Sequence, residues 1–316
     1  MTAAAPAAMR DAFGNALLEL ADAVPEMVVL DADVATSTRT SAFGKKHPER
    51  FFNVGVAEAN MTDIAAGLAT CGLRPVVSTF ALFLSLKCAD QVRNIIAYNN
   101  LPVVLAGNYA GFSDSYDGAS HQAILDIAIL RAMPNMAVIA PGDGIEMKQA
   151  LEYALGRRGP TYLRICRNPT PTLFQAEPPF QFGKIRTLRR GSDLTIVVSG
   201  VPTFMAIEAA GRLERRGTSV DLLELSTIKP VDTETLVESA ARTRRVLTVE
   251  EHTVCGGVGS AVAETLSSLC PVRVDRMGIE DRFGESGDYM DLLAKYGISS
   301  AHIEARAMAL AERNGP

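Results

Sequence analysis

The sequence has no tryptophan, and only four histidines and five cysteines occur among its 316 residues. The histidines are dispersed, and no two cysteines form a Cys-x-x-Cys pair, so the spacing typical of a structural zinc site is missing. An odd number of scattered cysteines favours reduced thiols over a disulfide framework. We therefore expect a cytoplasmic protein without a structural zinc site.

Two further absences narrow the choice of partners. The net charge is -5 and no dense run of Lys and Arg occurs, which argues against nucleic acid, because binding a phosphate backbone needs clustered cations. No uninterrupted apolar stretch is long enough to span a bilayer, and the first residues lack the basic start and apolar core of a signal peptide. The expected partners are small molecules and other proteins, with no nucleic acid and no membrane.

The pattern along the chain predicts the fold class. Its length suits two domains. Apolar β-rich runs alternate with helical patterns, which predicts two α/β domains, each a mostly parallel sheet with helices on both faces. The predicted strands are residues 27–30, 51–56, 75–79, 103–106, 136–139 and 162–165, then 194–198, 220–225, 246–249 and 272–274. A proline-rich passage separates the two series, so we place the domains at 1–180 and 181–316.

Glu58 lies where the predicted strand 51–56 gives way to a helix. Met61 and Ile64 follow it at helical spacing, so the carboxylate should stand at the start of that helix. An acidic residue there ordinarily complements the unpaired amides and the dipole of the helix. Because apolar residues surround Glu58 in the sequence, it also suits a group that holds or passes a proton.

Other candidates follow other predicted strands. Phe80 and Phe83 are either core residues or one face of a pocket, since open parallel sheets bind ligands beyond the carboxyl ends of their strands. His121 lies in a polar loop and is either solvated or able to exchange a proton near neutral pH. Asp33 and Ser37 follow the strand 27–30, where both residue types commonly form turns.

Three motifs carry a family resemblance. Gly55-Val56-Ala57-Glu58, Ser78-Thr79-Phe80 and Asp117-Gly118-Ala119-Ser120-His121-Gln122 occur in the order and spacing seen in transketolases. The chain resembles the C-terminal half of a transketolase, comprising its pyrimidine-binding and C-terminal domains. The resemblance covers nearly all of the chain and therefore implies the fold of both domains.

The resemblance implies a cofactor, thiamine diphosphate, and residues that bind it. Glu58 would hydrogen-bond the aminopyrimidine ring and set its protonation, while the cofactor supplies the electron sink. Phe80 and Phe83 would hold the pyrimidine by stacking and apolar contact. Asp33 matches an acidic residue beside the cofactor. Leu86 stands where a third aromatic residue is expected.

The resemblance also implies substrate contacts. His121 matches a histidine that contacts the oxygens of the substrate, and Asp117 matches a residue that reads hydroxyl stereochemistry. Arg167 matches a phosphate-binding arginine, which Ser37 would join. Tyr109 stands where transketolases carry another substrate histidine. These residues favour sugar phosphates or close analogues as substrates.

Thiamine enzymes hold the diphosphate through a metal ion at a Gly-Asp-Gly turn, and Gly142-Asp143-Gly144 matches that turn. We interpret Asp143 instead as the cap of a helix at 145–154, because Glu146 completes a capping box. The diphosphate and its Mg²⁺ or Ca²⁺ would then lie on a partner, the N-terminal transketolase subunit, in an α2β2 heterotetramer.

These inferences favour one subunit of a split transketolase that moves a two-carbon ketol unit between sugar phosphates. Two alternatives in the same superfamily are the beta subunit of a 2-oxoacid dehydrogenase and an enzyme like deoxyxylulose-phosphate synthase. An alternative of another class is a non-catalytic binding or regulatory subunit that has kept the fold.

Overall fold

The structure is a computed structural model that describes residues 7–175 and 178–312. Its strands are β1 (Ala7–Ala8), β2 (Met27–Asp31), β3 (Phe51–Asn53), β4 (Arg74–Phe80), β5 (Val104–Asn108), β6 (Ala137–Ile139), β7 (Thr161–Ile165), β8 (Pro169–Thr170), β9 (Arg186–Arg189), β10 (Leu194–Val198), β11 (Val220–Glu224), β12 (Thr227–Lys229), β13 (Arg245–Thr253) and β14 (Arg273–Ile279).

The α-helices of the same residues are α1 (Met9–Leu20), α2 (Ala35–Thr38), α3 (Ser41–Lys46), α4 (Glu58–Thr70), α5 (Ala81–Leu86), α6 (Ala89–Gln91), α7 (Asp126–Arg131), α8 (Gly144–Gly156), α9 (Thr203–Arg215), α10 (Thr233–Thr243), α11 (Val258–Leu269), α12 (Tyr289–Lys295) and α13 (Ser300–Glu312). A 3-10 turn at Pro48–Arg50 precedes β3, and a π-helical segment, Val92–Ala97, continues α6. No helix among the described residues is both long and apolar enough to cross a bilayer.

The first sheet has seven strands in the order β12-β6-β7-β5-β4-β2-β3. All neighbouring pairs are parallel except β12 with β6. Both β2 and β5 are buried along their whole length, as expected for strands that are covered on both faces. The strand predicted at 51–56 ends earlier, at Asn53, because the chain turns at Gly55, where φ is +74°.

The second sheet has five strands in the order β14-β13-β10-β11-β9, with β9 antiparallel to β11. The predicted fold class is therefore confirmed: two α/β units with mostly parallel sheets. β8 ends at Thr170 and β9 begins at Arg186, so the predicted boundary at residue 180 falls in the connection between them and stays a prediction.

The two halves are joined through more than this connection. β12, which follows β11 of the second sheet, adds an antiparallel edge strand to the first sheet beside β6. The sequence pattern predicted no strand there. A single apolar cluster also runs from Phe13 of α1 to Val198 of β10 and Leu213 of α9, so the core is continuous across both sheets.

A buried ionic network ties β7 to β13. The Arg164 guanidinium donates to Asp126 Oδ2 at 2.9 Å and to the Glu251 carbonyl oxygen at 2.9 Å. Glu251 Oε1 accepts from the Phe112 backbone N–H at 2.7 Å, and Oε2 accepts from the Tyr289 hydroxyl at 2.9 Å. Burial raises the pKa of the Glu251 carboxyl to about 7, although the charge of Arg164 and these hydrogen bonds oppose the shift.

Replacing Arg164 by Met tests this network. The substitution keeps an apolar stem of similar bulk but leaves the Asp126 carboxylate buried without its cation, so we expect the free energy of unfolding to fall by about 3–5 kcal/mol. Urea unfolding of the full chain measures the change. Arg190→Met is the matched control, because Arg190 pairs with Glu238 on the exposed surface, where such pairs contribute at most about 1 kcal/mol. Equal losses in the two variants would contradict a stabilising role for the network.

Candidate active site

The candidate site lies at the carboxyl ends of neighbouring strands. In the first sheet β7, β5, β4, β2 and β3 are adjacent, so the residues that follow them meet along one edge. Arg167 follows β7, Tyr109 follows β5, Phe80 ends β4, and Glu58 follows β3. The order of strands therefore gathers residues that are far apart in the sequence.

Glu58 is the first residue of α4, as predicted, and its side chain is only 7% exposed. Its Oε1 accepts a hydrogen bond from Lys87 Nζ at 2.9 Å. Lys87 follows α5, and its ammonium nitrogen lies 3.9 Å from the centre of the Phe83 ring. The carboxylate, the ammonium and the aromatic face thus form one contact group. Lys87 was not among the site residues predicted from the sequence.

Next to this group, the rings of Phe80, Phe83, His121 and Tyr109 form an aromatic wall. The rings of Phe80 and Phe83 are 5.9 Å apart between centroids, and the His121 ring lies edge-on to Phe83 at 5.2 Å. Phe80 also contacts the Tyr109 ring at 4.5 Å. Phe80 and Phe83 are both half-buried, so they line an accessible surface and are not sealed in the core.

Tyr109 connects the aromatic wall to two arginines. Its hydroxyl accepts from Arg10 Nη1 at 2.6 Å, and the Arg167 guanidinium lies over its ring, 4.9 Å from the centroid. The Tyr109 backbone has φ +60°, a left-handed conformation that is strained for a bulky residue and that is found most often at functional sites. Both guanidinium groups contact the same phenol, where they can bind an oxyanion.

Arg10 was missed by the sequence reading. It lies in the first turn of α1, and its Nη1 also donates to the Ser37 backbone carbonyl oxygen at 3.2 Å. This contact places Ser37 beside the arginine through its backbone oxygen. No local motif surrounds Arg10, so only its position in space reveals it.

Asp114 lies beside Arg167 and interacts with Asp117. Asp114 is buried, its Oδ1 lies 3.5 Å from Arg167 Nη1, and the exposed Asp117 side chain is close enough to act on its charge. Burial, and then the hydrogen bond and negative charge of Asp117, raise the pKa of Asp114 to about 7, while Arg167 opposes the shift. The sequence reading named Asp117 but not Asp114.

Asp33 is paired with Asn53. Its Oδ1 accepts from the Asn53 side-chain amide at 3.0 Å, and its backbone N–H donates to Asn53 Oδ1 at 3.1 Å. This pair joins the carboxyl ends of β2 and β3 just before Gly55. Leu86, at the position expected for a third aromatic residue, is exposed and leaves that side of the wall aliphatic.

The Gly-Asp-Gly turn forms a helix start, as the capping interpretation predicts. Asp143 Oδ1 accepts from the Glu146 N–H at 2.9 Å, and its Oδ2 accepts from the N–H groups of Leu173 and Phe174, both at 2.8 Å. Both oxygens therefore face amide donors. Within residues 7–175 and 178–312 no group of three or more His, Cys, Asp or Glu side chains is placed to hold a metal ion.

The glycine-rich turn before α11 is also filled from within. Glu250 accepts from the Val258 N–H at 2.6 Å and from the Gly259 N–H at 2.8 Å, so a buried carboxylate occupies the helix start where a phosphate could bind. A Cβ on Gly257 would lie 2.1 Å from Glu250 Oε2, which explains that glycine by close packing.

Comparisons with known proteins agree with the fold and with each half of the chain. Residues 5–172 match the family model of the transketolase pyrimidine-binding domain, and residues 183–303 match that of the transketolase C-terminal domain. A Methanocaldococcus jannaschii protein named as a transketolase C-terminal section is 42% identical over 303 residues, which cover 95% of each chain.

Two further relatives differ in their named activity. A 6-deoxy-6-sulfo-D-fructose transketolase subunit of Clostridium sp. (strain MSTE9) is 37% identical, with 96% of this chain and 95% of the relative covered. The 1-deoxy-D-xylulose-5-phosphate synthase of Desulfotalea psychrophila is 35% identical over 98% of this chain, which spans only 48% of that enzyme.

Solved structures give the same result. A structure described as a split-gene transketolase, an inactive beta4 tetramer, superposes with a TM-score of 0.88 at 42% identity and covers 97% of this chain and 99% of its own. A Pichia stipitis transketolase shares the fold, with a TM-score of 0.81 at 23% identity over 98% of this chain and 46% of its own. The chain belongs to the transketolase family, of which it contains the pyrimidine-binding and C-terminal domains.

Proposed function

We propose that this chain is the C-terminal subunit of a split, thiamine-diphosphate-dependent transketolase. It would move a two-carbon ketol unit between sugar phosphates or close analogues. The observation that carries the proposal is one unbroken series of contacts along the sheet edge. It runs from a buried carboxylate through an aromatic wall to two guanidinium groups, and its members are Glu58, Lys87, Phe83, Phe80, Tyr109, Arg10 and Arg167.

The residues fit the pyrimidine end of the cofactor. Thiamine diphosphate supplies an electron sink for breaking and forming a bond beside a carbonyl group. Phe80 and Phe83 offer half-buried faces on which a flat ring can stack, and Glu58 places one nearly buried carboxylate beside them. Glu58 would hold a proton at a ring nitrogen, since a carboxyl group screened from water exchanges protons mainly with its bound neighbour.

The outer end of the site fits an anionic substrate. Arg10 and Arg167 present two cations that both contact Tyr109, an arrangement that suits the oxygens of a phosphate or a sulfonate. His121 and Asp117 would contact the hydroxyl groups between this anion and the cofactor. The name of the Clostridium relative, which specifies a sulfonated ketose, supports an anion-bearing sugar as the substrate class.

A partner subunit would complete the active site. Asp143 is engaged with backbone amides and is poorly placed to hold a metal ion, which supports a diphosphate site on another polypeptide. That N-terminal subunit would bring Mg²⁺ or Ca²⁺ and pair with this chain as an α2β2 heterotetramer. The solved relative described as an inactive beta4 tetramer supports the same assignment of the diphosphate site to a second subunit.

A second candidate is the chemistry of 1-deoxy-D-xylulose-5-phosphate synthase, because those enzymes are 35–37% identical to this chain. The chain spans about half of their length. Assaying the reconstituted pair for 1-deoxy-D-xylulose 5-phosphate distinguishes the two candidates. Formation of that product, with no ketol transfer, would favour the synthase.

Reconstitution tests the split enzyme directly. Alone, the chain should bind thiamine diphosphate weakly and show no ketol transfer, because we assign the diphosphate site to the partner subunit. Adding the diphosphate-binding subunit should restore both cofactor binding and transfer, and activity should saturate at one copy of each chain. Titration of one subunit against the other, with a coupled assay for the aldose product, measures this. Full activity without a partner would refute the proposal.

Glu58→Gln tests the catalytic carboxyl. In the reconstituted enzyme we expect turnover to fall by about 100-fold or more, since the amide cannot exchange a proton. The circular dichroism spectrum and the unfolding midpoint should change little. Glu49→Gln, which alters an exposed carboxylate on a nearby turn, is the matched control and should leave turnover unchanged. Wild-type turnover in Glu58→Gln would favour the non-catalytic alternative.

Asp114 predicts a pH dependence of substrate binding. Its pKa of about 7 means that it loses its proton as the pH rises through neutrality, which places a new negative charge beside Arg167. The KM for a phosphorylated ketose should therefore increase above pH 7. In Asp114→Asn the KM should stay low across the same range. A ketose without a terminal anion is the control, and its KM should be insensitive to the substitution.

A further inference from the structure

The ammonium group of Lys87 occupies the place that the proposed function assigns to the cofactor ring. Its Nζ lies 2.9 Å from Glu58 Oε1 and 3.9 Å from the centre of the Phe83 ring. The carboxylate and the aromatic face are the two groups that should contact the pyrimidine. A ring bound between them would meet the lysine head group first.

We propose that Lys87 is a positioning residue. It pairs with the Glu58 carboxylate in the unloaded site and releases this carboxylate when the aminopyrimidine binds. This inference rests on the proposed function, because it assigns Glu58 to the cofactor. Its structural premise, an ion pair between Lys87 and Glu58, is independent of any activity.

Burial explains why such a partner is needed. The Glu58 side chain is 7% exposed, and a charged carboxylate at that depth is unfavourable without a cation or several hydrogen bonds. Lys87 supplies the cation. Its own side chain is 48% exposed and flexible, so it can leave Glu58 and return its charge to water without unfolding the site.

Replacing the contact of Glu58 with Lys87 by a contact with the cofactor ring should couple cofactor binding to the uptake of a proton. In the ion pair the Glu58 carboxylate accepts from the Lys87 ammonium group, whereas its proposed contact with the ring shares a proton between the carboxyl group and the ring nitrogen. Cofactor binding should therefore take up a proton from the solvent. The other ionisable groups in this region are Asp63, Cys88 and His121, whose ring lies edge-on to Phe83. Burial raises the pKa of the Cys88 thiol to about 11, so Cys88 stays neutral.

The first test measures the ion pair in the full chain without cofactor. Thermal unfolding is compared for the wild type, Lys87→Met, Glu58→Gln and the double variant. If the ion pair forms, Lys87→Met lowers the melting temperature in the wild type but has much less effect in the Glu58→Gln background. Equal shifts in both backgrounds would overturn the proposal, because the two side chains would then be independent.

The second test measures cofactor binding by calorimetry in the reconstituted pair. Met keeps an apolar stem over Phe83 but cannot hold the carboxylate, so the Kd for thiamine diphosphate should fall at least threefold in Lys87→Met. Lys87→Arg, which keeps the charge, should stay within twofold of the wild type. Titrations in buffers of different ionisation enthalpy should show an uptake of about one proton in the wild type and less in Lys87→Met.

Controls separate the possible failures. Lys46→Met removes an exposed charge on α3 and should leave the Kd for thiamine diphosphate unchanged. Diphosphate alone probes the partner's half of the site, and its Kd should be the same for the wild type and Lys87→Met. Weaker cofactor binding in Lys87→Met would overturn the proposal by making Lys87 a ligand of the bound ring. If Glu58→Gln keeps wild-type turnover, the proposed function fails, while the unfolding cycle still reports whether the ion pair exists.

Discussion

The arrangement of both domains depends on the hydrogen bonds and ion pair made by the buried guanidinium of Arg164. A charge at that depth is tolerated only when opposite charges and carbonyl oxygens surround it, and these come from Asp126 in the first domain and from the β13 backbone in the second. Glu251 then fixes Phe112 in the loop after β5. The same contacts that join the domains therefore also fasten the loop that leads to His121.

The site inherits its geometry from that constraint and from the sheet. Parallel strands direct their carboxyl ends to one edge, where loops can carry polar groups without disturbing the core. Tyr109 adopts a strained backbone after β5, its ring packs at a tilt against Phe80, and two arginines contact it. Strain of this kind persists only where the surrounding packing holds it, as the fastened loop does here.

The sequence predicted the six parallel strands of the first sheet to within a few residues, because buried parallel strands are continuous apolar runs. It also predicted the start of α4 at Glu58 and the cap at Asp143, since both depend on a few neighbouring residues. It missed β12, Arg10 and Lys87. Each acquires its role through a contact with residues far along the chain, namely β6, Tyr109 and Glu58.

By itself the sequence determined the fold class, the alternation of strands and helices, and a set of motifs in the order of one family. These properties arise from local periodicity and from residue types at fixed spacing. Only the tertiary structure decided which cation faces the Glu58 carboxylate, and which second arginine joins Arg167 at Tyr109. The physical reason is that electrostatic partners are set by distance in space, which depends on strand order and on how loops are anchored.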